Sequence, residues 1–258
     1  MKERKTFWDK NAGRYDRFMR KDRAAYEEMY KLIRPVVKAK TVLELATGTG
    51  LIAKHIVNAA AHIEATDASA EMIAEAKRDN HSAKLHFSVQ DMFRLPYADK
   101  SFDVVIVSNA LHIVPQPEKA LQEIKRVLKE DGVLIAPTFT HAGNSFSGKV
   151  KAFFMKLAGF PLHSRWTSEE YLRFLRQNGW TVRKSAVLKA SFPLTYGDQK
   201  VKGAVRIAHD KEQRRFPVTQ LVQFQLIVHG GIPDFLNIEG CEPGTAGNKD
   251  RLSRLAGS

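Results

Sequence analysis

The stretch "VLELATGTGLIAKHI", residues 42–56, decides the fold. An almost continuous apolar strand runs into a glycine turn and then into a helix, the entry into a parallel α/β unit in which both faces of the strand are buried. Gly48-Thr-Gly50-Leu-Ile-Ala53 fits the G-x-G-x-x-G/A spacing of a dinucleotide turn. Such a turn holds a ligand against a helix N-terminus, and the spacing alone leaves the ligand open.

Outward from this turn, strands and helices alternate. "HIEATD" reads as a second strand ending on Asp67, "AKLHFSVQD" as a third ending on Asp91, and "SFDVVIVSNAL" as a central fourth. "PEKALQEIKRVLKEDG" has the period of an amphipathic helix, with Leu121, Ile124 and Leu128 on one face and Gly132 as its cap. "GVLIAPTF" reads as a fifth strand, and "TVRKSAVLKASFPLTY" gives one or two closing strands. Residues 7–34 read as mostly helical. Between residues 141 and 166 lies a basic, aromatic insertion with no strand signal, followed by a helix opened by Thr167-Ser168-Glu169-Glu170. Residues 198–258 are turn-rich and weakly patterned and read as a poorly ordered tail after a domain of residues 1–197.

Composition narrows the class. The chain has 258 residues and a net charge of +13, and its single cysteine, Cys241, excludes an internal disulfide and a cysteine-based zinc site. The N-terminus is charged, without the apolar core of a secretory signal, and no apolar run approaches a membrane span, so cytoplasmic residence is expected. The charge is uneven: residues 1–40 carry +7, residues 41–140 carry −3, residues 141–197 carry +7 and residues 198–258 carry +2. Basic flanks around an acidic domain fit an anionic surface or substrate, or simply a solvated surface.

In an open parallel sheet, ligands sit beyond the carboxyl ends of the strands. The glycine turn, Asp67 and Asp91 follow three successive strands, and Asp67 lies 17 residues after Gly50, where a carboxylate can accept from ribose hydroxyls. A dehydrogenase shares that feature but requires neither a second acid after the third strand nor the Asn-Ala-Leu-His turn after the fourth. With "FWDKNAGRYD" (7–16), "VLELATGTG" (42–50), "IEATDASAEMI" (63–73), "VQDMFRLPYADKSFDVVIVSNALHIVPQP" (89–117) and "EIKRVLKEDGVLIA" (123–136) in this order, the sequence resembles the class I S-adenosylmethionine-dependent methyltransferases. It is most similar to the branch of ubiquinone/menaquinone-biosynthesis and bacterial phospholipid N-methyltransferases.

The resemblance implies a doubly wound α/β fold with a mostly parallel seven-stranded sheet, an N-terminal helical cap over residues 1–40 and a substrate-side insertion at 141–166. It implies S-adenosylmethionine as cofactor, S-adenosylhomocysteine as product and no metal. Glu44, Ala46, Gly48 and Gly50 would lie beside the methionine part. Asp67 would bind the ribose hydroxyls with Ala68 beside the adenine, and Asp91 would accept from the adenine amino group with Met92 packing on the ring. Asn109 would line the methionine end through its backbone, and Tyr15 would close over the sulfonium. The family commonly has glycine where this chain has Ala46, and alanine fits if that position does not need φ > 0.

His112 reads as a general base or substrate contact, or as an orienting residue. Phe153, Phe154, Phe160 and Trp166 could line an acceptor pocket, although a satellite core is the commoner meaning of such a cluster. The acceptor is expected to be a small molecule or lipid, with peripheral contact to an anionic membrane through the basic segment. Nucleic-acid modification and a non-catalytic protein retaining the fold are the alternatives. The first lacks an RNA-binding module and the Asn/Asp-Pro-Pro-Tyr/Phe motif of amino-directed base methylases.

Overall fold

The structure is a computed structural model, which describes residues 5–141 and 163–201. Five parallel strands follow the expected alternation: β1 (Thr41–Leu45), β2 (His62–Asp67), β3 (Leu85–Val89), β4 (Phe102–Val107) and β5 (Leu128–Ile135). Helices α3 (Leu51–Ile56), α4 (Ala70–Lys77) and α5 (Pro117–Val127) connect them, α1 (Phe7–Met19) and α2 (Arg23–Val37) precede them, and α6 (Ser168–Gln177) follows. The spatial order is β3-β2-β1-β4-β5, so the chain reverses its winding between β1 and β4. That reversal opens a crevice at the carboxyl ends of these two strands, directly above the glycine turn.

Beyond β5 the sheet continues antiparallel, with β8 (Leu194–Val201) against β5 and β7 (Trp180–Leu188) against β8. A two-residue strand β6 (Thr138–Phe139) also pairs with β8, giving eight strands. Leu134 and Ile135 pair with Gln199 and Asp198, while Thr138 and Phe139 pair with Thr195 and Leu194 in the same running register. β5 and β6 are therefore one strand position, interrupted at Pro137, which has no N–H to give the ladder. Seven strand positions remain, as expected.

Two sequence expectations are corrected here. The amphipathic helix ends at Val127 rather than at Gly132, because Leu128 pairs with Phe102 as the first residue of β5. Leu128 is buried as the helical period suggested, but as a strand residue. Gly132 serves the irregular start of β5: a Cβ there would come within 2.9 Å of the Lys129 carbonyl and closer to the Leu128 side chain. The boundary at residue 197 falls inside β8, whose Asp198 and Gln199 are paired to β5, so the sheet extends to Val201.

One face of the sheet packs on α2, α3 and α4 through residues such as Ile33, Ile56, Ile63, Ile73 and Ile106. The other packs on α5 and α6 through Leu43, Val105, Ile124, Leu134 and Tyr171. Trp166 stacks on Phe174 with ring centroids 4.7 Å apart and belongs to this second core, as the satellite-core reading has it. Phe153, Phe154 and Phe160, with most of the 141–166 insertion and the tail after Val201, lie outside the described residues. No helix among the described residues is long and apolar enough to cross a membrane.

Candidate active site

The turn after β1 is made of left-handed residues. Ala46, Gly48 and Gly50 have φ of 50°, 58° and 79°. At Gly50 a Cβ would stand 2.7 Å from the Phe87 ring, so that position accepts only glycine. Ala46 is the exception: it takes the positive φ that favours glycine, and the condition under which alanine would fit freely is not met. The turn is pinned from the next strand, where one oxygen of Asp67 accepts from the Gly48 N–H at 2.8 Å and the other from the Ser69 N–H at 2.9 Å. Both bonds fix the carboxylate at the rim of the crevice. Burial nonetheless raises its pKa above the ordinary carboxylate value.

A cavity of about 230 Å³ opens over this turn. It is lined by Tyr15, Ala46, Gly48, Asp67, Ala68, Asp91, Met92 and Asn109, eight of the ten residues expected to hold a cofactor. Glu44 and Gly50 are not in its wall. Glu44 is 2% exposed, lies below the turn, and has a buried Oε2 without a hydrogen-bond partner. Burial pushes its pKa up to about 8, and the negative charge of Asp67 acts in the same direction. Asp91 stands exposed at the far rim, where one oxygen accepts from the Phe93 N–H at 2.9 Å.

Asn109 leaves β4 in the left-handed region, with φ of 52°, which asparagine tolerates better than most residues. Its side chain is engaged at both ends: Nδ2 donates to the Tyr26 hydroxyl and Oδ1 accepts from the Phe139 N–H, each at 2.9 Å. Asn109 thus ties β4 to α2 and β6, a role the sequence did not reveal. Next to it, Ser108 contributes a buried hydroxyl oxygen with no partner to the cavity wall. A buried unpaired polar atom in a cavity wall is suited to a polar ligand.

The helical cap is fastened over the cavity by carboxylates of α1. Asp16 accepts from the Thr49 hydroxyl in the glycine turn, and Asp9 accepts from the Ser69 hydroxyl that caps α4. Partial burial pushes the Asp9 pKa upward, but hydrogen bonds from Ser69 and Thr6 outweigh it and hold the group at about 2. Lys5 adds an ion pair to Glu71 at 2.9 Å. Between these anchors the Tyr15 ring lies over Gly48, with a ring carbon 3.6 Å from where a Cβ would be. Burial, with Asp67, Asp16 and Glu44 nearby, keeps its phenol protonated.

A second cavity, of about 400 Å³, adjoins the first and shares Trp8, Tyr15 and Asn109 with it as a common wall. Its lining is mainly apolar, drawn from Phe7, Phe18, Met19, Phe139 and Phe192, with His112, His141 and Thr140 as polar groups and Arg14 and Lys21 at its edge. His112 is 6% exposed, and its Nδ1 is 2.8 Å from the Thr138 hydroxyl. Burial, with His141 nearby, lowers its pKa to about 4, so the imidazole is neutral at physiological pH. Sequence reasoning missed this cavity because its walls come from α1, the turn after β4, β6 and the β7–β8 connection, which share no motif.

Comparison with known proteins agrees with this geometry. Residues 43–136 match the methyltransferase domain family model. The demethylmenaquinone methyltransferase of Renibacterium salmoninarum is 37% identical over 105 residues, 41% of this chain and 44% of that protein. The ubiquinone/menaquinone biosynthesis C-methyltransferase of Desulfotalea psychrophila is 30% identical over 146 residues, 56% of this chain and 59% of that protein. The chain thus spans about half the length of the curated relatives it matches. The structure of a DhpI–SAH complex superposes with a TM-score of 0.59 at 23% identity, covering 76% of this chain and 94% of that one. The reversed sheet order, the left-handed turn pinned by Asp67 and these likenesses lead to one assignment: residues 43–136 carry a methyltransferase domain, in a chain that shares the fold of S-adenosylmethionine-dependent methyltransferases and is similar in sequence to the ubiquinone/menaquinone-biosynthesis enzymes.

Proposed function

We propose that the chain transfers a methyl group from S-adenosylmethionine to a small apolar acceptor, a quinol-like ring or a lipid. The observation that carries this reading is the pair of cavities sharing the wall of Trp8, Tyr15 and Asn109. One has a mixed lining, with Asp67, Gln90, Asp91 and Ser108 as the polar groups and Met92 and Phe93 among the apolar ones, as a nucleoside and an amino acid need, and the other has the mainly apolar lining an acceptor ring or chain needs. The unpaired Ser108 hydroxyl and the fixed Asp67 carboxylate suit the first occupant. The relatives' names point toward the second.

In this reading Asp67 accepts from the two ribose hydroxyls, Ala68 and Met92 pack on the adenine, and Asp91 accepts from its amino group. Backbone at Ala46 and Gly48 borders the methionine part. Glu44 gives negative potential from beneath, and Tyr15 closes the reacting end. The bound cofactor supplies a methyl on a sulfonium, with a neutral thioether as leaving group. The protein's task is to align the nucleophile with that methyl and exclude water, where orientation can contribute roughly 7–11 kcal/mol. Trp8 and Tyr15 stand at the junction of the two cavities, where that alignment has to be made. His112, held neutral and braced by Thr138, is suited to accept a hydrogen bond from an acceptor hydroxyl and orient it. The basic edge of Arg14 and Lys21 suits an acceptor that approaches with an anionic group or from an anionic surface.

Radiolabelled methyl transfer tests the proposal. The full chain is incubated with labelled S-adenosylmethionine and with demethylated quinols, anionic lipid vesicles or RNA in separate reactions. Label extracted with the quinol or the lipid is the expected result. Label in RNA would replace the reading with nucleic-acid modification, and no transfer to any of the three would favour a non-catalytic protein.

A further inference from the structure

The edge of the sheet carries a second chemical constellation, at the end of β2 remote from the cavities. Glu64 on β2 and His86 on β3 are direct partners in the parallel register, and His62 lies two residues before Glu64 on the same strand face. His62 Nε2 is 2.7 Å from Glu64 Oε1, and His86 Nδ1 is 3.6 Å from the same oxygen. The two imidazole rings stand beside each other with centroids 4.9 Å apart. One donor atom from each residue lies within 4.8 Å of the other two, the one group of three such side chains among the described residues. The site is open to solvent on the His86 side.

We propose that His62, Glu64 and His86 form a binding site for a divalent transition-metal cation of the zinc class. Two imidazoles and one carboxylate are the donor set of many three-ligand sites, with metal–nitrogen distances of about 2.0–2.1 Å and water in the remaining position. Around a tetrahedral ion of that size, adjacent donors stand roughly 3.3 Å apart, a spacing the two observed distances bracket. Small side-chain rotations bring all three donors to it, since none of the three belongs to the packed core. Nitrogen donors and the low coordination number favour zinc, nickel or copper over magnesium and calcium, which take mostly oxygen ligands.

The consequence is a clip across β2 and β3. β3 is the outer strand of its edge, and its continuation supplies Gln90, Asp91 and Met92 to the first cavity. The bound cation fastens that edge from three to five residues of strand away, roughly 10–16 Å from Asp67, and touches no residue of either cavity. The site is structural, and methyl transfer does not pass through it.

Calorimetric titration of the full, metal-free chain with zinc chloride at pH 7.5 is expected to give one equivalent bound at this site. His62→Ala and His86→Ala each weaken that equivalent at least tenfold, and Glu64→Gln weakens it as well. Zinc at a hundredfold excess over its Kd raises the Tm by roughly 5 °C or more in the wild type and leaves the double histidine variant unmoved, whereas magnesium chloride shifts neither. Zinc X-ray absorption on the wild type, which needs no variant to fold, shows two imidazoles and further oxygen ligands in the first shell. No zinc binding by the wild type, an unchanged equivalent in the folded double variant, or a first shell without imidazole would each overturn the proposal.

Discussion

Ala46 holds a backbone conformation that costs an L-residue about 1–2 kcal/mol. Replacing it with glycine removes that strain but adds unfolded-state entropy worth about 0.5–1 kcal/mol, so Ala46→Gly should be stabilising by up to about 1 kcal/mol. Chemical denaturation checks this, and a loss of stability would show that the methyl group has a packing role. Asn109 separates two effects in the same way. Asn109→Gly keeps the left-handed turn and loses the bonds to Tyr26 and Phe139, at about 1 kcal/mol each, while Asn109→Ala adds strain of about 1 kcal/mol. Alanine should therefore be the less stable variant by denaturant midpoint, and the reverse order would remove the backbone argument.

Glu44 gives a pH dependence of definite sign. Its folded pKa of about 8 lies above the ordinary value of 4.5, so between those limits the folded state holds a proton that the unfolded state has released. This contribution to stability falls as pH rises through that window. Glu44→Gln should have a higher Tm than the wild type at pH 8.5, with the gap closing toward pH 5. His112 works in the opposite sense: its folded pKa, about 4, is below the ordinary 6.5, so stability falls as pH drops below 6.5. A variant at Glu44 with an unchanged pH profile would mean that the carboxylate is solvated in solution.

At the scale of elements, α1 is a cap held by a few polar bonds rather than by a deep apolar face. Among the residues of α1, only Ala12 and Met19 are buried. Asp16→Asn keeps the shape of the side chain but weakens a charge-assisted bond to Thr49. The expected outcome is a several-fold weaker affinity for S-adenosylhomocysteine with a Tm within a few degrees of the wild type, because the cap covers the cavity and the sheet carries the core. An unchanged affinity would show that Tyr15 closes the site without this anchor. The exposed Phe18, with Lys21 3.9 Å from its ring centroid, lies on the same helix at the edge of the second cavity.

For the whole molecule, the sequence was legible where chemistry is concentrated at strand ends. Asp67, Asp91 and Asn109 each follow an apolar run, and turn residues at the ends of parallel strands converge on one crevice by topology alone. It was misleading where two periods overlap: Leu121, Ile124 and Leu128 share a helical stripe, yet pairing with Phe102 claims Leu128 for the sheet. The second cavity and the anchors of Asp9 and Asp16 depend on contacts between segments far apart in the chain, which no local pattern encodes. Glu44 was visible as a buried acid within a strand, but its place beneath the turn rather than in the cavity wall follows only from the coordinates.

In the proposed function the cavity over the glycine turn seats S-adenosylmethionine through Asp67, and a binding measurement isolates that step from any question of acceptor. Isothermal calorimetry with S-adenosylhomocysteine should show one site in the full chain. Asp67→Ala should weaken it at least tenfold, by the loss of charge-assisted bonds of about 1.5–3 kcal/mol, while a folded His112→Ala protein should bind as the wild type does. No binding by the wild-type chain, or equal binding by a folded Asp67→Ala protein, would mean that this cavity does not hold the cofactor through Asp67.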